Sequence, residues 1–473
     1  MSTSVMTLFP FMLNGMEAMK IPIEIAADMA LKDFHAAFAG ADMMKNLHDT
    51  HVKMSRHFLP LMDPVIEKET SESLLDIYQE GSDALFSIYR ENLLRPLARF
   101  YEERAGELEF LKLFTDELPP QDWTVEYDQS KILLDLPSFR LIEISADIRH
   151  AIENYTVIFA PRAGHHSNIA ERVALFLRGQ GLTRMAIVEQ KCAEDIPLYV
   201  DGKRHHENFE GQIRQYTEIL EHLKGKTGFP PHLVAICQPG PLLMMTLILR
   251  PDLGKTFGSA GAPMDTEAEQ GFLTDFARSM GENYIERLIA LFGQTVCDDR
   301  PGRGREIFDG RFHVLGFYLL SMDQHVKNFK HLLDDLKSGN SESAEKQKAF
   351  YEWYNYVQSF PRSFIEDTYK KIFVGNELIR GDLVIDGKTV GIKDYPGSVP
   401  LWALGGSNDN IAPPLQATGH MKLIEAVPDE DKLTLICNGG HMALFRSQNV
   451  LNEYYTKIAR FILDRSDLEV LSM

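Results

Sequence analysis

The sequence predicts an α/β fold: a largely parallel sheet interleaved with helices, interrupted late by a helical insertion and preceded by a helical extension. Two observations carry the prediction. Short, nearly all-apolar runs recur from residue 155 onward, at 155–161 (YTVIFAP), 185–189, 232–237 (HLVAIC) and 257–262. Strands covered on both faces read this way, because neither face alternates toward water. Between the runs lie helical stretches at 168–179, 207–223 and 239–249. Strand–helix–strand alternation at this spacing builds parallel βαβ units.

The other elements follow in order. Residues 20–118 repeat apolar side chains three and four apart, as at Leu74, Leu75, Ile77, Tyr78, Leu85 and Phe86, which is the period of amphipathic helices. Pro119-Pro120 closes that region, and 132–137 with 139–145 form an antiparallel pair about a turn. After 262 the alternation stops. Residues 266–375 are helical and dense in aromatics, with Phe350, Tyr351, Trp353, Tyr354 and Tyr356 close together. Strands return at 399–405 and 432–437, and a last helix covers 451–463. The expected organisation is a helical N-terminal extension over 1–120, a first part of the sheet domain over 121–265, a helical lid insertion over 266–395, and the rest of the sheet domain over 396–473.

Composition narrows the function. Lys and Arg number 49 against 68 Asp and Glu, a net charge of −19. That balance argues against nucleic acid or an anionic membrane surface as the main partner, since both select a basic face. An uncharged substrate is not disfavoured. No run reaches the ~18 apolar residues of a membrane span. The N-terminus has no basic residue before Lys20, so it makes a poor secretory signal. Its apolar segment 1–19 reads as an arm packed on the body or on a partner subunit, which is compatible with a homo-oligomer. The rival reading, an interfacial anchor, lacks the basic face such helices carry. Four cysteines occur without a C-x-x-C pair, so reduced thiols in a cytoplasmic protein are expected.

In doubly wound sheets, ligands gather outside the carboxyl ends of the strands. There the sequence places Cys237, then Asp265, then Asp409, then His441. Nucleophile, acid and histidine in that order match the α/β-hydrolase arrangement. A thiol needs an imidazole to take its proton, and the imidazole needs a carboxylate to fix its tautomer. Cys237, Asp409 and His441 are therefore the candidate catalytic residues, with Asp265 as the rival acid. The N–H of Gln238 is a candidate oxyanion donor, joined by one from the loop at Gly164 and His165. His166 and Asp265 at strand ends, and Trp353 and Tyr354 in the aromatic segment, are candidate substrate contacts. The usual elbow G-x-S-x-G is absent; Ala235-Ile236-Cys237-Gln238-Pro239 stands in its place. Ala235 is small enough for a tight turn, and Pro239 suits the first turn of a helix. His165-His166 and His205-His206 have no third ligand at a recognisable metal spacing, and neither metal nor organic cofactor is expected.

The blocks APRAGHHS (160–167), AICQPG (235–240), GAPMD (261–265), GGSNDNI (405–411) and CNGGHMALF (437–445) resemble, in order and spacing, those of intracellular polyhydroxyalkanoate depolymerases. The similarity runs from about 125 to the C-terminus. The resemblance implies an α/β-hydrolase fold, Cys237 as nucleophile, Asp409 as acid, His441 as base, and poly(3-hydroxybutyrate)-type polyester as substrate. It also implies a cytoplasmic, granule-associated enzyme whose thioester is resolved by water or by coenzyme A as thiol acceptor. The related polyhydroxyalkanoate synthases also use cysteine, but in a G-x-C-x-G-G setting absent here. A synthase-like acyltransferase and a non-catalytic granule-binding protein are the alternative readings.

Overall fold

The computed structural model describes residues 109–110, 131–162, 169–320, 322–338 and 340–468. The helical extension expected over 1–120 lies outside these residues except for Glu109 and Phe110. So does the apolar segment 1–19. The described residues divide into two compact units. One takes 288–294 and 309–357 together with residues 109–110; the other takes 131–287, 295–308 and 358–468. The expected insertion at 266–395 thus contributes to both.

The larger unit is built on eight strands. They are β1 (Ile132–Asp135), β2 (Phe139–Glu143), β3 (Thr156–Phe159), β4 (Met185–Gln190), β5 (His232–Ile236), β6 (Thr256–Ala260), β7 (Leu401–Gly406) and β8 (Lys432–Cys437). Their order across the sheet is β1-β2-β4-β3-β5-β6-β7-β8. Only β2 opposes the rest: it pairs antiparallel with β1 and β4, and every other pairing is parallel. This mixed sheet, with one reversed strand near its edge and a crossover between β3 and β4, is the α/β-hydrolase fold. The apolar runs fall where expected because the central strands are buried on both faces; β3, β5, β6 and β7 are buried throughout.

Helices cross between the strands. Helix α1 (Ala170–Gly179) follows β3, α2 (Phe209–Thr227) precedes β5, and α3 (Pro239–Leu249) follows it. The start of α2 is fixed by Asn208, whose side chain accepts the Gly211 N–H at 3.1 Å. Its end is fixed by Gly228 at a φ of 82°, whose N–H returns to the Lys224 carbonyl, the usual left-handed stop. Helix α3 is apolar on nearly every side and buried from Pro239 to Leu247, as a helix packed all round must be. The helix expected over 451–463 is present, with a wide turn at Leu451–Tyr455 before Thr456–Leu463.

One expectation needs correction. The region 266–375 is not wholly helical, because Glu306–Phe308 pairs antiparallel with Phe360–Pro361. Two short hairpins add to the expected elements, Tyr199–Val200 with Lys203–Arg204, and Leu383–Ile385 with Lys388–Val390. Each turns on an Asp-Gly pair at positive φ, Asp201-Gly202 and Asp386-Gly387, the combination that two-residue hairpin turns require.

In the smaller unit, α4 (Gly310–Leu320), α5 (Met322–Ser338) and α6 (Ser341–Asn355) form a helical group. The Phe329 ring lies 4.4 Å from that of Tyr351, tilted by 33°, and meets Phe110 edge-on. His325 links Tyr351 and Tyr354 through its two ring nitrogens, at 3.1 and 3.2 Å. No helix among the described residues is long and apolar enough to cross a membrane.

One packing constraint within the sheet is sharp. Gly258 on β6 is the register partner of Trp402 on β7, and a Cβ at Gly258 would lie 1.8 Å from the indole. Trp402 is fully buried and has nowhere to move. Gly258→Ala is expected to destabilise by about 1–3 kcal/mol through overpacking, read as a lower urea midpoint with an unchanged slope.

Candidate active site

The parallel strands deliver their carboxyl ends to one edge of the sheet, and the candidate residues assemble there. Cys237 fills the turn between β5 and α3 at a φ of 59°. A side chain in the left-handed region costs about 1–3 kcal/mol and persists only where its surroundings impose it. Here they do. The Cys237 N–H donates to the Ala260 carbonyl at the end of β6, and its carbonyl accepts the Gly240 N–H. Gln238 is the N-cap of α3 and Pro239 opens the helix, where a missing N–H costs nothing. Gly240 is obligatory: a Cβ there would lie 2.5 Å from the Ala262 methyl.

Asp409 and His441 come from the loops after β7 and β8. The two loops continue the strand pairing, with Ser407 N–H on the Cys437 carbonyl and Asn408 N–H on the Gly439 carbonyl. Gly406 permits this closeness, since a Cβ there would meet the Gly439 oxygen at 2.5 Å. Asp409 is 4% exposed. Its Oδ1 accepts the N–H groups of Ile411 and Ala412 at 2.8 and 3.0 Å, and its Oδ2 faces His441 Nδ1 at 2.7 Å. The imidazole rests on Phe445, edge to face, and on Gly261, where a Cβ would be 3.0 Å from its ring. Gly261 is itself at a φ of +58°.

The electrostatics follow from this geometry. Burial alone would make His441 harder to protonate. The charges of Asp409 and Cys237, and hydrogen bonds to both, more than offset that and hold its pKa well above the ordinary value. An imidazole set between a carboxylate and a thiol can take a proton from sulfur at one nitrogen while the carboxylate fixes the other.

The remaining expected site residues fall differently. Gln238 adjoins Cys237, and its side-chain oxygen accepts the Arg162 N–H at 3.0 Å. Gly164, His165 and His166 lie outside the described residues. Asp265 is buried after β6, but its Oδ1 is held by Asn376 Nδ2 at 3.0 Å and by the Glu267 N–H at 3.1 Å. Trp353 and Tyr354 belong to the smaller unit; Trp353 is 3% exposed and Tyr354 bonds His325. His205 is engaged with Glu207 at 2.5 Å. All four cysteines are free, and burial with the neighbouring Glu194 pushes the Cys192 thiol up to about 12. Arg162, Gly240 and Gly261 lie within the blocks APRAGHHS, AICQPG and GAPMD, and contribute to the site in ways the sequence alone does not assign.

Residues 261–466 match the family described as PHB de-polymerase C-terminus. That span contains Asp409 and His441 and begins after Cys237. The chain is 24% identical over 241 residues to the poly(3-hydroxyalkanoate) polymerase subunit PhaC of Allochromatium vinosum, covering 50% of this chain and 60% of that protein. It therefore spans less than two thirds of that relative's length. Similar solved structures include a soluble variant of monoglyceride lipase from Saccharomyces cerevisiae, with TM-score 0.44 and 10% identity over 73% of this chain and 98% of that one. Another is a monoacylglycerol lipase of Paleococcus ferrophilus, with TM-score 0.40 and 14% identity over 69% and 99%. The family match and the curated relative support a relation to polyhydroxyalkanoate proteins; the strand order establishes the fold.

The Asp409–His441 contact has a measurable consequence. Asp409→Asn removes the carboxylate's charge and leaves burial opposed by Cys237 alone, so the His441 ring is expected to titrate at lower pH by NMR. The folded-state pKa of wild-type His441 lies above the unfolded value of about 6.5. The contact therefore stabilises fully below that pH and loses its effect as pH rises through the folded value. The stability deficit of Asp409→Asn in urea is expected to be largest below about pH 6.5 and to shrink toward higher pH.

Proposed function

We propose that this chain is a cytoplasmic polyhydroxyalkanoate depolymerase that cuts poly(3-hydroxyalkanoate) ester bonds on storage granules through Cys237, His441 and Asp409. The observation that carries the reading is the positive-φ turn at Cys237, with His441 held between that thiol and Asp409. The match of 261–466 to the depolymerase family description supports the substrate class. In this reading the Cys237 proton rests on the His441 nitrogen facing away from Asp409, and the sulfur attacks the ester carbonyl as the thiolate. The carbonyl oxygen becomes an oxyanion, stabilised by the Gln238 main-chain N–H and by a donor from the loop containing Gly164 and His165. Collapse of the tetrahedral species expels the alcohol end of the polymer, which takes the proton from His441. The acyl group remains as a thioester on Cys237. Water, or the thiol of coenzyme A, then attacks the thioester and frees the sulfur. A lid role for the helical segment within 266–395 belongs to the same proposal.

A second reading is a synthase-like acyltransferase, favoured by the likeness to a polymerase subunit. It uses the same thioester in the opposite direction. Against it stands the elbow Ala235-Ile236-Cys237-Gln238-Pro239-Gly240, which lacks the glycine before the nucleophile.

Purified protein incubated with amorphous polyester granules, with and without coenzyme A, separates these readings. Hydroxyacids, oligomers or hydroxyacyl thioesters are the expected products. Polymer growth from hydroxyacyl-coenzyme A with no granule loss would assign the synthase reading instead. Cys237→Ala is expected to lower ester cleavage by about 10⁴-fold or more with an unchanged melting curve, since the covalent route is lost. Turnover near that of wild type in this variant would reject the cysteine mechanism.

A further inference from the structure

Fully buried charge is linked to the turn at Cys237 through the Arg162 N–H and the Gln238 side chain. Arg162, which follows β3, and Glu207, which precedes α2, are both 0% exposed, and Arg162 Nη2 stands 4.0 Å from Glu207 Oε2. Glu207 is a meeting point. Its Oε1 accepts from Ser138 Oγ and lies 2.5 Å from His205 Nε2, and its Oε2 accepts from Gln212 Nε2 at 2.7 Å. Burial works against its charge, yet the His205 bond, the Arg162 guanidinium and the Ser138 hydroxyl together hold its pKa below the usual carboxylate range. The guanidinium also donates to the Lys191 carbonyl and lies over the Phe364 ring. Its Nε and Nη2 have no hydrogen-bond partner among the described residues.

As a source of stability this is a poor arrangement. Desolvating two charges offsets most of their attraction, and an apolar pair of similar volume often does as well. Its consequence is positional. The Arg162 side chain is tied to the interior, while its own main-chain N–H donates to Gln238 Oε1 at 3.0 Å. Gln238 is the residue after Cys237, so a buried anchor reaches the turn through one side chain and one backbone bond. An oxyanion donor has to sit about 2.7–3.1 Å from the developing oxygen, which makes small displacements at Gln238 costly to the rate.

We propose that Arg162 and Glu207 are positioning residues. Their buried pair fixes the main chain at Arg162, the Arg162 N–H fixes the Gln238 side chain, and the Gln238 N–H is thereby held where the oxyanion develops. This rests on the acyl-transfer reading above.

The test uses the full chain, a soluble aryl ester, and the variants Glu207→Gln, Glu207→Leu, Arg162→Met and the double variant Arg162→Met/Glu207→Leu. Each single change is expected to lower the acylation rate about 10–100-fold, with KM within about 2-fold, as for a partly misplaced oxyanion donor. The double variant is expected to be no slower than the slower single one, because the two residues act as a unit, and to melt close to wild type. Alkylation of Cys237 by iodoacetamide is expected to keep its wild-type rate, because that displacement forms no oxyanion. Affinity for an aldehyde inhibitor, whose addition product places an oxygen at the same position, is expected to fall with the rate. The proposal is overturned if the double variant regains the wild-type rate together with its melting temperature, because the pair is then merely structural. It is equally overturned if Glu207→Gln acylates at the wild-type rate or if alkylation slows in step with acylation. Where a single variant does not fold, the double variant decides. If Cys237→Ala hydrolyses the ester as fast as wild type, the acyl-transfer reading fails and this inference falls with it. A wild-type burst with normal Glu207→Gln kinetics rejects this inference alone.

Discussion

The φ of 59° at Cys237 is the constraint around which the sheet edge is organised. A non-glycine residue leaves that conformation unless both flanks are clamped. On one side β5 is paired with β3 and β6 along its length. On the other, Pro239 begins a helix that is buried almost all round. The chain must turn within Cys237-Gln238, and the strained residue is the one that carries the thiol. The familiar elbow places small residues two before and two after the nucleophile. Here Ala235 fills the first place, and the glycine stands three residues after, at Gly240 against Ala262. Proline occupies the second place itself, because a first-turn position asks nothing of its nitrogen. The motif is altered while the steric requirement behind it is met.

The partner groups are held by the opposite device, relaxed pairing continued past the strands. Ser407 and Asn408 keep hydrogen-bonding to the end of β8 at Cys437 and to Gly439 beyond it, so the loops bearing Asp409 and His441 behave as a short extension of the sheet. Two backbone N–H groups then orient the Asp409 carboxylate. The carboxylate so placed, together with Cys237, keeps the neighbouring imidazole protonatable despite its own burial. Gly261 and Gly406 contribute by having no side chain, since a Cβ at either would push into His441 or into the Gly439 carbonyl.

Much of this was legible in the sequence, for physical reasons that also mark where reading stops. Strands buried on both faces have to be continuous apolar runs, so β3, β5, β6 and β7 were visible, and strand ends then pointed to Cys237, Asp409 and His441. Pieces of two or three residues, such as Glu306–Phe308 with Phe360–Pro361, are shorter than any period and leave no pattern. The two Asp-Gly hairpins did leave a signal at Asp201-Gly202 and Asp386-Gly387, one that turn chemistry alone suffices to read. The pairing of Arg162 with Glu207 left none. They are 45 residues apart, a separation read from their numbers, and nothing local announces that two charges will meet in the interior. Asp265, placed like Asp409 at a strand end, showed that position alone does not choose an acid. Its carboxylate is turned to Asn376 and Glu267, while that of Asp409 is turned to an imidazole.

The aromatic segment teaches a different lesson. Such density is core by default, with an excess that leaves room for an apolar substrate groove; Tyr351 and Trp353 are 1% and 3% exposed. Their neighbours close on one another: Phe329 on Tyr351, Tyr318 on Tyr354, and His325 between two tyrosine hydroxyls. A unit built on a few helices encloses little volume and has to fill it with few side chains. Large rings do so with the fewest residues, each burying about 150–250 Å². Aromatic density therefore reports first on the size of the core to be filled. The buried His325 fits that account as well, for burial lowers its pKa to about 4. A neutral imidazole can donate from one nitrogen and accept at the other, which lets two tyrosine hydroxyls be buried with their hydrogen bonds made.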